Sequence, residues 1–148
     1  MRLENIFGAF AFLAVMMVPA SAQANQASRN AVLTAFFEAF NAHDSEAMAD
    51  WVSDDIRVIY LSADGSSSEV NGVESLAQSM QDYFTALPSA RSEILSFMVD
   101  GDHIAVRESA SWMTAGGEAR NQTALAVYRI ENGLIASVWY YPETRAAN

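Results

Sequence analysis

From residue 94 to residue 141 the side chains alternate with a period of two. Asp100-Gly101-Asp102, Gly116-Gly117 and Asn132-Gly133 break that run with turn chemistry. Strands joined by such short turns pair with their chain neighbours, because a tight turn cannot carry a crossover. Residues 94–100, 103–113, 120–130 and 134–141 are therefore expected to form a four-strand antiparallel meander. A sheet of this kind must cover one apolar face, and the first half of the chain has to supply the cover.

The first half follows a different period. After Ser28, a suitable N-cap, Val32, Phe36, Phe37 and Phe40 recur at spacings of three and four and make one apolar helical stripe. Asn41-Ala42-His43-Asp44 ends the stripe. Asp44 or Ser45 can cap a short second helix carrying Met48, Trp51 and Val52, closed by Asp54-Asp55. Residues 56–61 are β-branched and aromatic and read as a strand, and residues 63–68 read as a polar turn. Asn71-Gly72 leads into a third helix, 73–87, stopped by Pro88. The order helix, helix, strand, helix, meander is α+β, with helices on one face of an antiparallel sheet.

Composition removes several classes of chemistry. The 148 residues include 8 basic side chains, all Arg, against 18 acidic ones, with two His, no Cys and a net charge of −10. Lysine Schiff bases, thiolate nucleophiles, disulfides and cysteine metal sites are excluded. A nucleic-acid partner is not expected, because phosphate binding rests on clustered cations. HExxH, EF-hand, GxGxxG and GxSxG patterns are absent, and Asp100-Gly101-Asp102-His103 reads as hairpin chemistry, so no metal and no cofactor is expected.

Residues 1–24 have the layout of a secretory signal. Arg2 is followed by the uncharged residues 6–18 and then by Pro19-Ala20-Ser21-Ala22-Gln23-Ala24, with small-x-small cleavage sites after Ala22 and Ala24. The apolar run is shorter than the roughly 20 residues of a membrane span. The expectation is one domain, 25–148, exported to a bacterial periplasm or secreted and free of the membrane after cleavage. The lack of Cys suits a bacterial compartment.

Four segments, in order, carry a family resemblance. They are Phe37-Glu38-Ala39-Phe40-Asn41-Ala42-His43-Asp44 with Trp51-Val52-Ser53-Asp54-Asp55, then Asn71-Gly72-Val73-Glu74-Ser75-Leu76, and last Val127-Tyr128-Arg129-Ile130-Glu131-Asn132-Gly133-Leu134-Ile135. Together they resemble the nuclear-transport-factor-2-like superfamily, in its SnoaL-like and ketosteroid-isomerase-like branches. That resemblance implies a cone, three N-terminal helices packed in a curved antiparallel sheet, with an apolar pocket at its mouth. It implies no single function, since members include isomerases, cyclases and non-catalytic binding or dimerisation modules. At the positions where a ketosteroid isomerase keeps its Tyr and its two Asp, this chain has Phe36, Tyr60 and about Ala126. Where a SnoaL-type cyclase keeps its base, Glu143 is the one acidic residue at hand.

Strand alternation puts Ile104, Val106, Glu108, Ala110 and Trp112 on one face and His103, Ala105, Arg107, Ser109, Ser111 and Met113 on the other. Glu108 is the one charge on the apolar face. A lone buried carboxylate is either a general acid or base with a raised pKa, or a structural group tied to an Arg or Tyr. Tyr60, in phase with Ile56 and Val58, is a candidate hydrogen-bond donor to a developing oxyanion. Trp51, Tyr83, Trp112 and Tyr140 are candidate aromatic wall for a substrate, with Gln122 as a polar contact. His43 and His103 are read as structural.

Arg107, Met113, Leu125, Val127, Trp139 and Tyr141 fall on the opposite, outer face, which predicts a homodimer through that face. Three functions remain open. One is cofactor-free proton transfer, of isomerase or cyclase type, on a small hydrophobic carbonyl compound. The others are a binding protein for a small hydrophobic or aromatic molecule, and a dimeric interaction module.

Overall fold

The computed structural model describes residues 20–142. Helices α1 (Ala20–Asn41) and α2 (Ser45–Ala49) lead into β1 (Val52–Leu61) and β2 (Ser67–Asn71). Helix α3 (Val73–Ala86) follows, and then β3 (Arg91–Asp100), β4 (His103–Met113), β5 (Ala119–Glu131) and β6 (Leu134–Tyr140). The meander forms as its alternation requires. At its last turn Asn132 and Gly133 both take positive φ, 51° and 79°, the conformation that an Asn-Gly hairpin turn favours.

The six strands lie in the order β2-β1-β6-β5-β4-β3. The expectation of a purely antiparallel sheet is corrected at one pair: β1 runs parallel to β6, with Val58 opposite Val138 and Tyr60 opposite Tyr140. A parallel pair needs a long crossover, and here everything between β1 and β6 supplies it. The three helices are also not all N-terminal, because β1 and β2 precede α3. Strand β2 falls on residues read from sequence as a polar turn and a helix lead-in. As an edge strand whose side chains are mostly exposed, it carries no apolar alternation to betray it.

Two boundaries differ as well. β1 starts at Val52, earlier than expected, and α1 starts at Ala20 instead of after Ser28. No Gly or Pro interrupts residues 20–28, so nothing stops the helix there, and these residues are exposed. Residues 1–19 of the segment expected to be a secretory signal, and Glu143, lie outside the described residues.

The core forms between α1, α3 and the inner face of the curved sheet. Val32, Leu33, Phe36 and Phe37 of α1 and Leu76 and Phe84 of α3 cover Ile56, Val58, Ile104, Val106, Tyr128, Ile135 and Val138. Asn41, at the end of α1, fixes the edge strand. Its Nδ2 donates to the Ser92 carbonyl at 2.8 Å, and its Oδ1 accepts from the Ser92 N–H at 2.8 Å. His43 adds a second tie, with Nε2–H donating to the Ala90 carbonyl at 2.7 Å and the ring stacked on Phe84. At the entry to α3, Gly72 has φ of 84° and donates its N–H to Ile56 at 2.8 Å. A side chain there would be strained.

Candidate functional site

Alternation on β4 places Glu108 as the sequence predicts. Ile104 and Val106 are fully buried beside it, and Glu108 is 8% exposed. Across the sheet its register partners are Ile94 on β3 and Ala124 on β5. Ala110 and Ala124 occupy little space in the wall, and a cavity of about 930 Å³ opens between the sheet and the helices. Phe36, Phe37 and Phe40 of α1, Met80 and Tyr83 of α3, and Tyr60 and Tyr140 of the sheet form much of its wall.

Glu108 sits in that wall with tyrosines around it. The Tyr128 hydroxyl donates to Glu108 Oε2 at 3.1 Å and lies 3.1 Å from the Tyr140 hydroxyl. A hydroxyl has one hydrogen, so while Tyr128 donates to Glu108 it accepts from Tyr140. Tyr140 and Tyr60 are register partners across the parallel pair, and their rings stack with centroids 5.2 Å apart and planes 8° from parallel. Tyr128 is clamped edge-on by Phe36 at 6.5 Å and tilted against Phe37 at 6.1 Å.

The electrostatics follow from this enclosure. Burial pushes the Glu108 carboxyl from its ordinary 4.5 up to about 7, while the hydrogen bond from Tyr128, backed by the Tyr140 hydroxyl, pulls it part of the way back. Among the described residues no Arg, Lys or His lines the cavity to hold it ionised. The hydroxyls of Tyr60 and Tyr83 are raised by burial and then by the nearby Glu108 charge. Tyr128 and Tyr140 are raised well above the ordinary value, burial again coming first. All four therefore stay protonated at neutral pH as hydrogen-bond donors. A carboxyl balanced between its two forms, next to fixed hydroxyl donors in an apolar chamber, is equipped to take up and return a proton.

Among the residues singled out from sequence, Glu108, Tyr60, Tyr83, Gln122 and Tyr140 all line this cavity. Trp51 and Trp112 do not. Trp51 packs half-buried against the core, and its backbone carbonyl accepts from the Ile135 N–H at 2.9 Å. Trp112 keeps the phase of Glu108 but lies towards the far end of β4, opposite Arg120. Tyr128 is the residue that sequence reasoning missed as a site member. Its signal was present in the shared phase with Gln122, Ala124 and Ala126, and in the prospect of a Tyr partner for Glu108. Among the described residues no cluster of His, Asp or Glu is arranged to hold a metal.

Comparison with known proteins supplies a relationship. A family model described as the SnoaL-like domain matches residues 33–138. A solved structure of a putative SnoaL-like polyketide cyclase from Jannaschia sp. CCS1 superposes with a TM-score of 0.65 at 14% identity, covering 77% of this chain and 84% of that one. AclR, a putative hydroxylase from Streptomyces galilaeus, gives a TM-score of 0.63 at 22% identity, covering 77% and 87%. TerC co-crystallised with polyporic acid gives 0.67 at 14% identity, covering 76% and 89%. At these identities the likeness is one of fold. No curated protein sequence matches.

Proposed function

The chain belongs to the SnoaL-like family, and from that premise we propose that it catalyses proton transfer, of isomerase or cyclase type, on a small and largely apolar carbonyl compound. One observation carries the reading: Glu108, 8% exposed, stands in the wall of an apolar cavity with tyrosine hydroxyls and, among the described residues, no cation around it.

As carboxylate, Glu108 removes a proton from the carbon beside the substrate carbonyl. The C–H bond breaks, the carboxyl O–H forms, and the electron pair moves onto the carbonyl oxygen as an enolate. Tyr60, with its hydroxyl kept protonated, donates to that oxygen as charge develops. Return of the proton from Glu108 to another carbon completes an isomerisation. Attack of the enolate carbon on a second carbonyl carbon of the substrate breaks that C=O π bond, and the resulting alkoxide takes the proton from Glu108 to complete a cyclisation. The Tyr128–Tyr140 pair holds the carboxyl in place and lowers the proton affinity that burial has raised. Tyr83 and Gln122 add polar contacts from opposite walls.

The first test needs no knowledge of the natural substrate. Hydrogen–deuterium exchange beside the carbonyl of α-tetralone, followed by NMR in D2O, is expected to accelerate with the wild-type protein. Glu108→Gln is expected to lower that rate at least about 100-fold with the fold intact. Exchange no faster than in buffer, or unchanged in the variant, would remove the catalytic reading. It would leave the second one, a non-catalytic binder of a small hydrophobic or aromatic molecule, favoured by the tyrosine partners that already satisfy Glu108.

Two further parts of the reading concern the molecule as a whole. Met98, Ala105, Val127, Trp139 and Ile59 are in register across five strands on the outer face, flanked by exposed Met113 and Leu125. Such an apolar row supports a homodimer through this face. Export to the periplasm, or secretion, accords with the signal-like sequence. Cleavage after Ala22 or Ala24 would remove only exposed residues from α1, whose buried residues begin at Val32. N-terminal mass analysis of the fractionated protein tests this, and a mass beginning at Met1 overturns it.

A further inference from the structure

The working cavity has a charge polarity that the proton-transfer reading does not use. Among the described residues its wall holds one carboxyl, Glu108, and no Arg, Lys or His. Arginines of the neighbouring elements pair elsewhere, Arg57 with Glu69, Arg120 with Glu118, Arg129 with Glu131 and Arg91 with the Asn41 carbonyl, and Arg29 of α1 is not among the lining residues. Arg107, on β4 itself, has the outer-face phase and is exposed. A carboxylate or phosphate entering this space would meet the Glu108 carboxyl and, among the described residues, hydroxyl and amide donors without a cation to offset the like charge. Aromatic side chains share the wall with the acid instead: Tyr60, Tyr83, Tyr140, Phe36 and Phe40. The surface outside has the same sign. Ser79 lines both the cavity and an adjoining groove along α3 whose charged members are Glu74 and Asp82. That groove adds an attractive field for cations on the approach.

We propose that this cavity binds lipophilic monoamines in their protonated form, the ammonium seated between the Glu108 carboxylate and the tyrosine rings, and that it rejects anions of the same shape. The proposal rests on the reading of this cavity as the working site. Its chemistry is that of an aromatic cage closed by one acid: ring faces attract a cation, the carboxylate accepts its N–H bonds, and the apolar walls take up the rest of the ligand. An amine seated there also occupies the base, so it inhibits proton transfer.

The groups facing Glu108 are Tyr60 on β1, Tyr83 on α3, Tyr128 on β5 and Tyr140 on β6, with Ile94 opposite on β3 and Phe36 and Phe37 on α1. None of them changes charge near neutrality, so Glu108 alone sets the pH response. Because a bound ammonium favours the carboxylate, binding drives a proton off Glu108.

Three naphthalene probes of one shape make the test: 1-naphthylmethylamine, 1-naphthylmethanol and 1-naphthoate, titrated calorimetrically into the full protein. The amine is expected to bind at least about tenfold more tightly than the alcohol, with naphthoate weakest. Its affinity should rise from about pH 6 to about pH 8, and proton release should appear as buffer-dependent heat. Glu108→Gln should erase the preference for amine over alcohol while retaining the alcohol. Equal affinity for amine and alcohol, or naphthoate binding as tightly as the amine, overturns the proposal on the wild-type protein alone, whatever the variant does. Carbonyl exchange separates the two readings. Amine preference without exchange sinks the catalysis and leaves this proposal standing, and exchange without amine preference does the reverse.

Discussion

At the scale of single residues, Glu108 couples the chemistry to stability. Its proton affinity is about 7 in the folded protein against an ordinary 4.5. Between those two values the native state retains a proton that the unfolded chain has released, so stability falls as pH rises through the window and levels off above it. The difference is about 3 kcal/mol. Glu108→Gln keeps an acceptor for Tyr128 and has no charge to bury. It is therefore expected to melt higher than the wild type above about pH 7 and to lose that advantage near pH 5. Thermal melts of both proteins at the two pH values check this. Tyr128→Phe removes a donor that holds the carboxyl down, so the acidic limb of the exchange rate should move to higher pH while the maximum rate survives. A limb that stays in place would show that the Tyr128 hydroxyl does not set the proton affinity of Glu108. The alternation of β4 made Glu108 legible in the sequence. Its ring of tyrosines was less legible, because it comes from four separate elements and the diagonal reach of Tyr128 depends on two alanines being small.

At the scale of elements, the meander was readable because its turns are chemically explicit and its strands alternate strongly. β2 was not readable. An edge strand with mostly exposed side chains has no pattern to distinguish it from a polar loop, and it forms because Val70 and its neighbours pair with β1. The parallel β1–β6 contact was hidden for another reason: local periodicity says nothing about which distant strand becomes a neighbour. Side-chain ties between elements are equally invisible. Asn41 holds β3 to the end of α1 through two hydrogen bonds. Asn41→Ala should cost about 2 kcal/mol in chemical denaturation, since both bonds go and the strand end loses its anchor. A loss below a few tenths would show that Ser92 finds water instead. Trp51 and Trp112 were expected beside the ligand because aromatic residues suit such walls, yet Trp51 is spent on the core.

At the scale of the whole molecule, the two faces of the sheet are predicted to separate in their response to mutation. Trp139→Arg places a charge in the middle of the outer apolar row and is expected to turn a dimer into a monomer in sedimentation, with ligand affinity changed less than about twofold. A wild-type monomer at micromolar concentration would sink the dimer proposal outright. The parallel pairing of β1 with β6 has a consequence for the timing of assembly. Val58 meets Val138, so the centre of the sheet cannot close until nearly the whole described chain has been made. Closing so long a loop is slow compared with forming the β3–β4–β5 hairpins. Until β6 arrives, β1 and β5 expose open edges that an aggregating chain could use, and a holding chaperone could equally cover them. A chain whose central strands stay unpaired for that interval remains thin enough to be threaded through a narrow pore.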